Sequence, residues 1–276
     1  MEIKVLSRAV TELRVPTNAE ILLISDLHWD NPHCDRGLLK RHLDEALGKN
    51  APVLVNGDLF CAMQGKYDRR SCKSDVRPEH NTATYLDDLV DTAVDWFGPY
   101  ADILAVIGQG NHETAITKNH ETHLTDRLCA GLRSKYGSKV IAGGYGFWVH
   151  VIPASKKGTL KIFAHHGSGG GGPVTKGVIQ TNRRQCMVAG ADVIWSGHIH
   201  EAWCLEGMQV GTDRAGNVVH TTVHHVCTPT YKEEYGDGHQ GWHVERMAPP
   251  KPLGGYWMGI KNHAEKNVIT MRRTVQ

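Results

Sequence analysis

Short continuous apolar runs alternate with amphipathic stretches along the first half of the chain. Ile21-Leu22-Leu23-Ile24-Ser25, Val53-Leu54-Val55-Asn56 and Ile103-Leu104-Ala105-Val106-Ile107 are apolar at consecutive positions and predict strands buried on both faces. Between the first two runs, Leu39, Leu43, Ala46 and Leu47 share a helical face, and Asp35 is placed to cap that helix. Leu86, Leu89, Val90, Ala93, Val94 and Phe97 recur at helical spacing up to Gly98-Pro99. Leu124, Leu128 and Leu132 mark a further helix. The second half is richer in strand patterns, at 140–141, 147–152, 160–164, 193–195, 218–223 and 268–271. With no repeat period and no low-complexity linker, this order predicts one α/β domain over 1–276, its helices covering sheet faces. The Pro/Gly-rich stretch 248–255 reads as a surface loop, because Tyr256-Trp257 follows at once.

Composition narrows the class. Of 276 residues, 40% are hydrophobic and 22% charged, which excludes a disordered or collagen-like chain. No stretch approaches the length of a membrane span, and the start Met1-Glu2-Ile3-Lys4-Val5-Leu6 lacks the apolar core of a secretory signal. The 31 basic and 29 acidic residues balance to +2, which by itself predicts neither nucleic-acid nor membrane binding. Seven scattered cysteines without a C-x-x-C pair fit a reducing cytoplasm better than a disulfide framework. The 18 histidines are in excess and point toward metal.

Five polar motifs sit where apolar runs end. Asp26-Leu27-His28 follows the first run, Gly57-Asp58 the second and Gly110-Asn111-His112-Glu113 the third. His165-His166-Gly167 follows Phe163-Ala164, and Gly197-His198-Ile199-His200 follows Val193-Ile194-Trp195. Open α/β sheets bind ligands at the carboxyl ends of their strands, so these five ends can converge on one pocket. The donors are carboxylate, amide and imidazole with no thiolate, a set suited to Mn, Fe, Zn, Mg or Ni rather than to a structural zinc site. The competing reading is five unrelated turns, since Asp, Asn and Gly favour strand ends anyway. Two other patterns fail. Asn119-His120-Glu121-Thr122 repeats Asn111-His112-Glu113-Thr114, but Ile116 and Leu124 stand where a zinc-protease helix needs histidine; the second copy reads as surface sequence opening a helix. Gly167–Gly172 matches a dinucleotide-loop spacing, yet Asp192 begins a strand rather than ending one; the glycines read better as a close approach to a phosphate.

Taken in order, D-x-H, G-D, G-N-H-[D/E], H and G-H-x-H, the set resembles the calcineurin-like metallophosphoesterases, from Asp26 to His200. The strings Gly57-Asp58-Leu59-Phe60, Gln64-Gly65-Lys66-Tyr67-Asp68 and His166-Gly167-Ser168-Gly169-Gly170 look most like the phage and prophage branch. The resemblance implies an α/β fold, a four-layer α/β/β/α sandwich of two mixed sheets flanked by helices, completed by residues 201–276. It implies two divalent ions, Mn first, with Asp26, His28 and His200 on one, Asn111, His198 and a histidine of the 165–166 pair on the other, and Asp58 bridging. Neighbouring strand residues face opposite sides, so one of the pair reaches the metal; the His-Gly-x-Gly-Gly turn favours His166, with His165 the alternative. His112 would face the scissile phosphate and assist the leaving group.

The substrate is less legible. The implied reaction is phosphate-ester hydrolysis, a phosphodiester first, with DNA or RNA as the candidate partner and no membrane. A phosphomonoesterase acting on phosphoprotein or nucleotide is the alternative; a non-catalytic scaffold would have lost ligands, and none is missing. The insert at about 61–82 carries Lys66, Arg69, Arg70, Lys73 and Arg77, which either grip a phosphodiester backbone or form a solvated loop diluted by Asp68 and Asp75. Arg183-Arg184 and Tyr231-Lys232 are second candidate contacts, while Trp203, Trp242 and Trp257 read as packing residues.

Overall fold

The computed structural model describes residues 1–62, 75–155, 158–239, 242–263 and 266–276. Two mixed sheets face each other. The first has six strands: β3 (Ala19–Ile24), β4 (Val53–Val55), β5 (Leu104–Ile107) and β6 (Ile141–Ala142) run parallel, and β12 (Tyr256–His263) and β13 (Lys266–Arg273) add antiparallel at the β3 edge. The second orders seven strands as β1 (Glu2–Ser7), β2 (Val10–Val15), β7 (Gly146–Pro153), β8 (Leu160–His165), β9 (Val193–Ser196), β11 (Val218–Cys227) and β10 (Trp203–Thr212).

The parallel strands need crossovers, and these are helical. They are α1 (Arg36–Gly48), α2 (Tyr85–Phe97), then α3 (Asn111–His120) with α4 (Leu124–Tyr136). Asp35 caps α1 as its sequence position predicts, its Oδ1 accepting from Leu38 N at 2.8 Å. Leu39 and Leu43 of α1, Ala93 and Phe97 of α2 and Leu128 and Leu132 of α4 pack on Leu22, Ile24, Val53, Val55, Leu104 and Ile107. Ile21, Leu23, Leu54 and Val106, with Ala105 at a register irregularity of β5, pack instead with Leu13, Val149, Ile162, Val193, Trp195 and Val226 of the second sheet. Burial on both faces is why β3, β4 and β5 read as unbroken apolar runs. The outer face of the second sheet is covered thinly by the short helix α5 (Gln180–Met187), which buries no residue and touches the sheet through Arg184 and Gln185. The four-layer order is therefore present with unequal outer layers.

Two local expectations change. Asn119-His120 closes α3 instead of opening a helix, with Glu121 left-handed at φ 53° and the next helix starting at Leu124. The end of 248–255 is not surface loop: Leu253 is buried and Gly254 N donates to Thr230 O at 2.9 Å. A last helical turn, α6 (Trp242–Glu245), lies in the C-terminal stretch.

Candidate metal centre

The five motifs meet at the carboxyl ends of β3, β4, β5, β8 and β9. The turns there are tight. Asp26, His28, Asp58, His198 and His200 all have positive φ, between 46° and 72°. Non-glycine residues there cost on the order of 1–3 kcal/mol each, so the surroundings must hold them. Backbone bonds between strand ends do so: Asp26 N donates to Gly57 O (3.0 Å), His28 N to Asp58 O (3.0 Å) and Gly197 N to His166 O (2.9 Å). Two glycines permit the approach. A Cβ on Gly110 would lie 2.1 Å from Asp58 Oδ1, and one on Gly197 would lie 2.4 Å from Asp26 Oδ2.

Three groups result among the described residues, the ligand atoms of each lying within 4.8 Å of one another: Asp26, His28 and His200; Asp58, His166 and His198; and a third that joins His28 and His112 to Cys61. The first two carry the motif ligands. In the first, His200 Nε2 is 3.4 Å from Asp26 Oδ1 and 3.3 Å from His28 Nε2. In the second, His166 Nε2 is 3.1 Å from Asp58 Oδ2. The groups adjoin, since His166 Nε2 also lies 3.9 Å from Asp26 Oδ1. Asn111 Oδ1 joins the second group by accepting from His198 Nδ1 at 2.7 Å. His165 stays outside: it is exposed and accepts from Gly167 N at 3.1 Å, while His166 is fully buried.

These residues fit divalent cations. His166 Nδ1 donates to Asn56 O at 2.7 Å, which turns Nε2 toward the carboxylates. That Nε2 and His28 Nδ1 are buried without a hydrogen bond. Burial opposes protonation of His166, yet Asp58 and Asp26 outweigh it and raise its pKa to about 10. Burial would raise the Asp58 carboxyl, but His166 and His112 hold it well below the ordinary range. The pocket thus attracts positive charge, and its oxygen and imidazole donors suit hard to borderline metals.

His112 sits at the start of α3 beside this centre. Its Nδ1 faces Cys61 O at 2.5 Å; a carbonyl only accepts, so Nδ1 carries the proton and Nε2 is left 3.9 Å from Asp58 Oδ2.

Several supports were not legible as such. Glu113 is buried, and its Oε2 accepts from Asp58 N (3.1 Å) and Gly110 N (2.7 Å) while Oε1 accepts from Phe60 N (2.9 Å). Burial first and the Asp58 charge second raise its carboxyl to about 7. Its signal was the fourth position of Gly110-Asn111-His112-Glu113. Asp30 accepts from Cys61 N (2.5 Å) and Ala62 N (2.8 Å), and Thr230 Oγ1 donates to Asp26 O (2.7 Å); no motif marks either.

Lys66, Arg69, Arg70 and Lys73 lie outside the described residues. Arg77 is not a free cation, because its guanidinium donates to the carbonyls of Asn31 (3.0 Å) and Cys34 (3.1 Å). Tyr231 and Lys232 are buried, the lysine paired with Glu234 at 2.6 Å, which removes them as substrate contacts. Trp257 is a core residue, as expected.

The sequence model of the calcineurin-like phosphoesterases matches residues 19–202, and the chain belongs to that family. Its members use divalent metals, which makes the class of this protein metal-dependent phosphoesterase. No curated protein matches the chain. Among solved structures it is similar to Vacuolar Protein Sorting 29 from Cryptosporidium parvum, at 14% identity and a TM-score of 0.40, covering 94% of this chain and 100% of that one. It is also similar to a conserved protein of Streptococcus pneumoniae described as a predicted phosphoesterase, at 10% identity and 0.31, with the same coverage of 94% and 100%. No helix among the described residues is long and apolar enough to cross a membrane.

Proposed function

We propose that the protein is a phosphodiesterase with a two-ion centre, with nucleic acid as its substrate class. The observation that carries this is the pair of adjoining three-ligand groups, with Asp58 Oδ2 and Asp26 Oδ1 both facing His166 Nε2. Asp26, His28 and His200 would hold one ion, and Asn111, His166 and His198 the other. The Asp58 carboxylate, with two oxygens to offer, would serve both. Bound there, divalent ions, manganese first, would polarise the phosphoryl group and acidify water enough for attack near neutral pH. His112 acts from the α3 end: with its Nδ1 proton held on Cys61 O, the imidazolium form carries a second proton on Nε2, which it gives to the departing alkoxide, leaving neutral imidazole, or donates in a hydrogen bond to a phosphoryl oxygen. The phage-type likeness and the basic stretch from Lys66 support the nucleic-acid reading. The unpaired cysteines Cys34, Cys61, Cys129, Cys186, Cys204 and Cys227 support a cytoplasmic setting.

The test is elemental analysis of Mn-loaded protein with parallel assays on bis-p-nitrophenyl and p-nitrophenyl phosphate. Two ions per chain and faster diester turnover are expected. Faster monoester turnover would favour the phosphomonoesterase reading. Turnover of neither, with metal bound, would leave a scaffold and overturn the proposal.

A further inference from the structure

On the far side of the second sheet from the metal centre, Arg184 is a half-buried guanidinium with no carboxylate partner among the described residues. Its Nη1 donates to Ser196 Oγ at 2.7 Å, a neutral partner that leaves the charge uncompensated. Burial holds its pKa below the ordinary guanidinium value, opposed by the nearby Cys227 thiol and by no carboxylate. Desolvating a cation without a counter-charge is unfavourable, so such an arginine stands ready for an external anion.

The surroundings are short of negative charge. Ser196 ends β9 on the outer face, next to Ile194, which packs on that face. His165 ends β8 on the same face as Phe163. His225 of β11 is buried; its Nε2 meets Gln185 Oε1 at 3.0 Å and its Nδ1 has no partner. Burial, then the charge of Arg184, keeps its imidazole low. Arg183, beside it on α5, is exposed.

The position links this cluster to the chemistry. His165 directly precedes His166, and Ser196 precedes Gly197-His198. Neighbouring strand residues face opposite sides, so the cluster and the metal centre are separated by one strand layer. Around the end of that layer runs the loop from Gly167, where Ser168, Gly169 and Gly170 are exposed and the two glycines have open space beside them. A chain of repeating anions can pass over this loop and be held on both sides of the sheet.

We propose that Arg184, positioned by the buried Ser196 hydroxyl and joined by His165, binds a non-scissile phosphate of a nucleic-acid strand whose scissile phosphate lies at the metal centre. The inference rests on the phosphodiesterase reading above. A guanidinium fork suits a phosphate, which offers two oxygens in one plane. The contact reads backbone and not base, so it is independent of sequence.

The experiment compares Mn-loaded wild type, Arg184→Gln and His165→Gln on a labelled single-stranded oligonucleotide and on bis-p-nitrophenyl phosphate. For Arg184→Gln, kcat/KM on the oligonucleotide should fall about ten-fold or more, the worth of a charged hydrogen bond. The slope of log affinity against log salt, read by fluorescence anisotropy, should become shallower by about 0.7, the share of one phosphate on a single strand. His165→Gln, an exposed change with little risk to folding, should move both readouts the same way by a smaller factor. Turnover of bis-p-nitrophenyl phosphate, which is too small to span both sites, should stay within about two-fold of wild type. Unchanged oligonucleotide binding in both variants, or an equal loss on both substrates, overturns the inference. Wild type that hydrolyses the small diester yet binds no oligonucleotide at low salt overturns it while leaving the phosphodiesterase reading intact. Wild type that hydrolyses neither overturns that reading first.

Discussion

The two sheets contribute differently to stability and to chemistry. The six-stranded sheet is backed by α1, α2 and α4 on one face and by the other sheet on its opposite face, and its β3, β4 and β5 residues are almost fully buried. The seven-stranded sheet buries one face well, but its outer face carries only a small cluster around Ile194 and Val223, and its β10–β11 hairpin runs into solvent. At the metal centre the division continues. The first sheet supplies both carboxylates, the amide and His28; the second supplies His166, His198 and His200, all imidazole. The well-packed side thus places the carboxylates, whose spacing must be held against repulsion, and the thinner side places imidazoles.

The largest effect should come from Asp58→Ala. This removes an oxygen donor that faces His166 and His112 and accepts from His112 N at 3.0 Å. Metal content by elemental analysis and turnover should both collapse. Two retained ions with near-normal turnover would place the bridge elsewhere and break the division of labour.

His112→Ala should leave metal stoichiometry intact and lower turnover by about two to four orders of magnitude. The loss should be smaller for p-nitrophenol leaving groups, which need little protonation. An equal loss for good and poor leaving groups would make His112 a phosphate-positioning group.

Glu113→Gln tests the support on the first sheet. A glutamine keeps one acceptor oxygen and turns an NH2 toward N–H groups that the carboxylate satisfied at Asp58, Gly110 and Phe60. A stability loss of about 1–3 kcal/mol by urea denaturation is expected, with metal affinity down about ten- to a hundred-fold by competition with a chelator. A loss of stability without a loss of affinity would separate the Asp58 turn from the metal centre.

The same contrast decides what could be read in advance. Strands β3, β4 and β5 announced themselves because burial on both faces writes continuous apolar runs. Strands β1, β2, β10 and β12 did not: β1 is largely exposed, β10 is exposed along most of its length, and β12 follows directly on Pro/Gly-rich sequence. The donors were legible as an ordered set of short motifs at strand ends, and the structure brings Asp26, His28, Asp58, Asn111, His112, His166, His198 and His200 together. Their supports were not. Thr230 and Asp30 act on carbonyls and amides far away in sequence, and such contacts leave no local pattern. Tyr231 and Lys232 misled because charge and aromaticity do not reveal burial, and Arg77 because its carbonyl partners at Asn31 and Cys34 are distant in sequence.

The smallest effect should come from the hairpin, and it is the sharpest check on the comparison of the sheets. Met208 is 62% exposed on β10, with Val210 and Val218 exposed nearby, whereas Leu54 is fully buried between the sheets. Leu54→Ala removes packed atoms and leaves a cavity, a loss of about 2–5 kcal/mol. Met208→Ala removes atoms already in water and should shift stability by no more than about 0.5 kcal/mol. Urea midpoints at constant slope measure both. A large loss for Met208→Ala would mean that the hairpin is covered in solution. A second copy of the chain is the simplest cover, and the wild-type midpoint would then rise with protein concentration. A small loss with a concentration-independent midpoint leaves the hairpin as an extension that adds little to the fold, and keeps the weight of stability on the helix-backed sheet that carries Asp26 and Asp58.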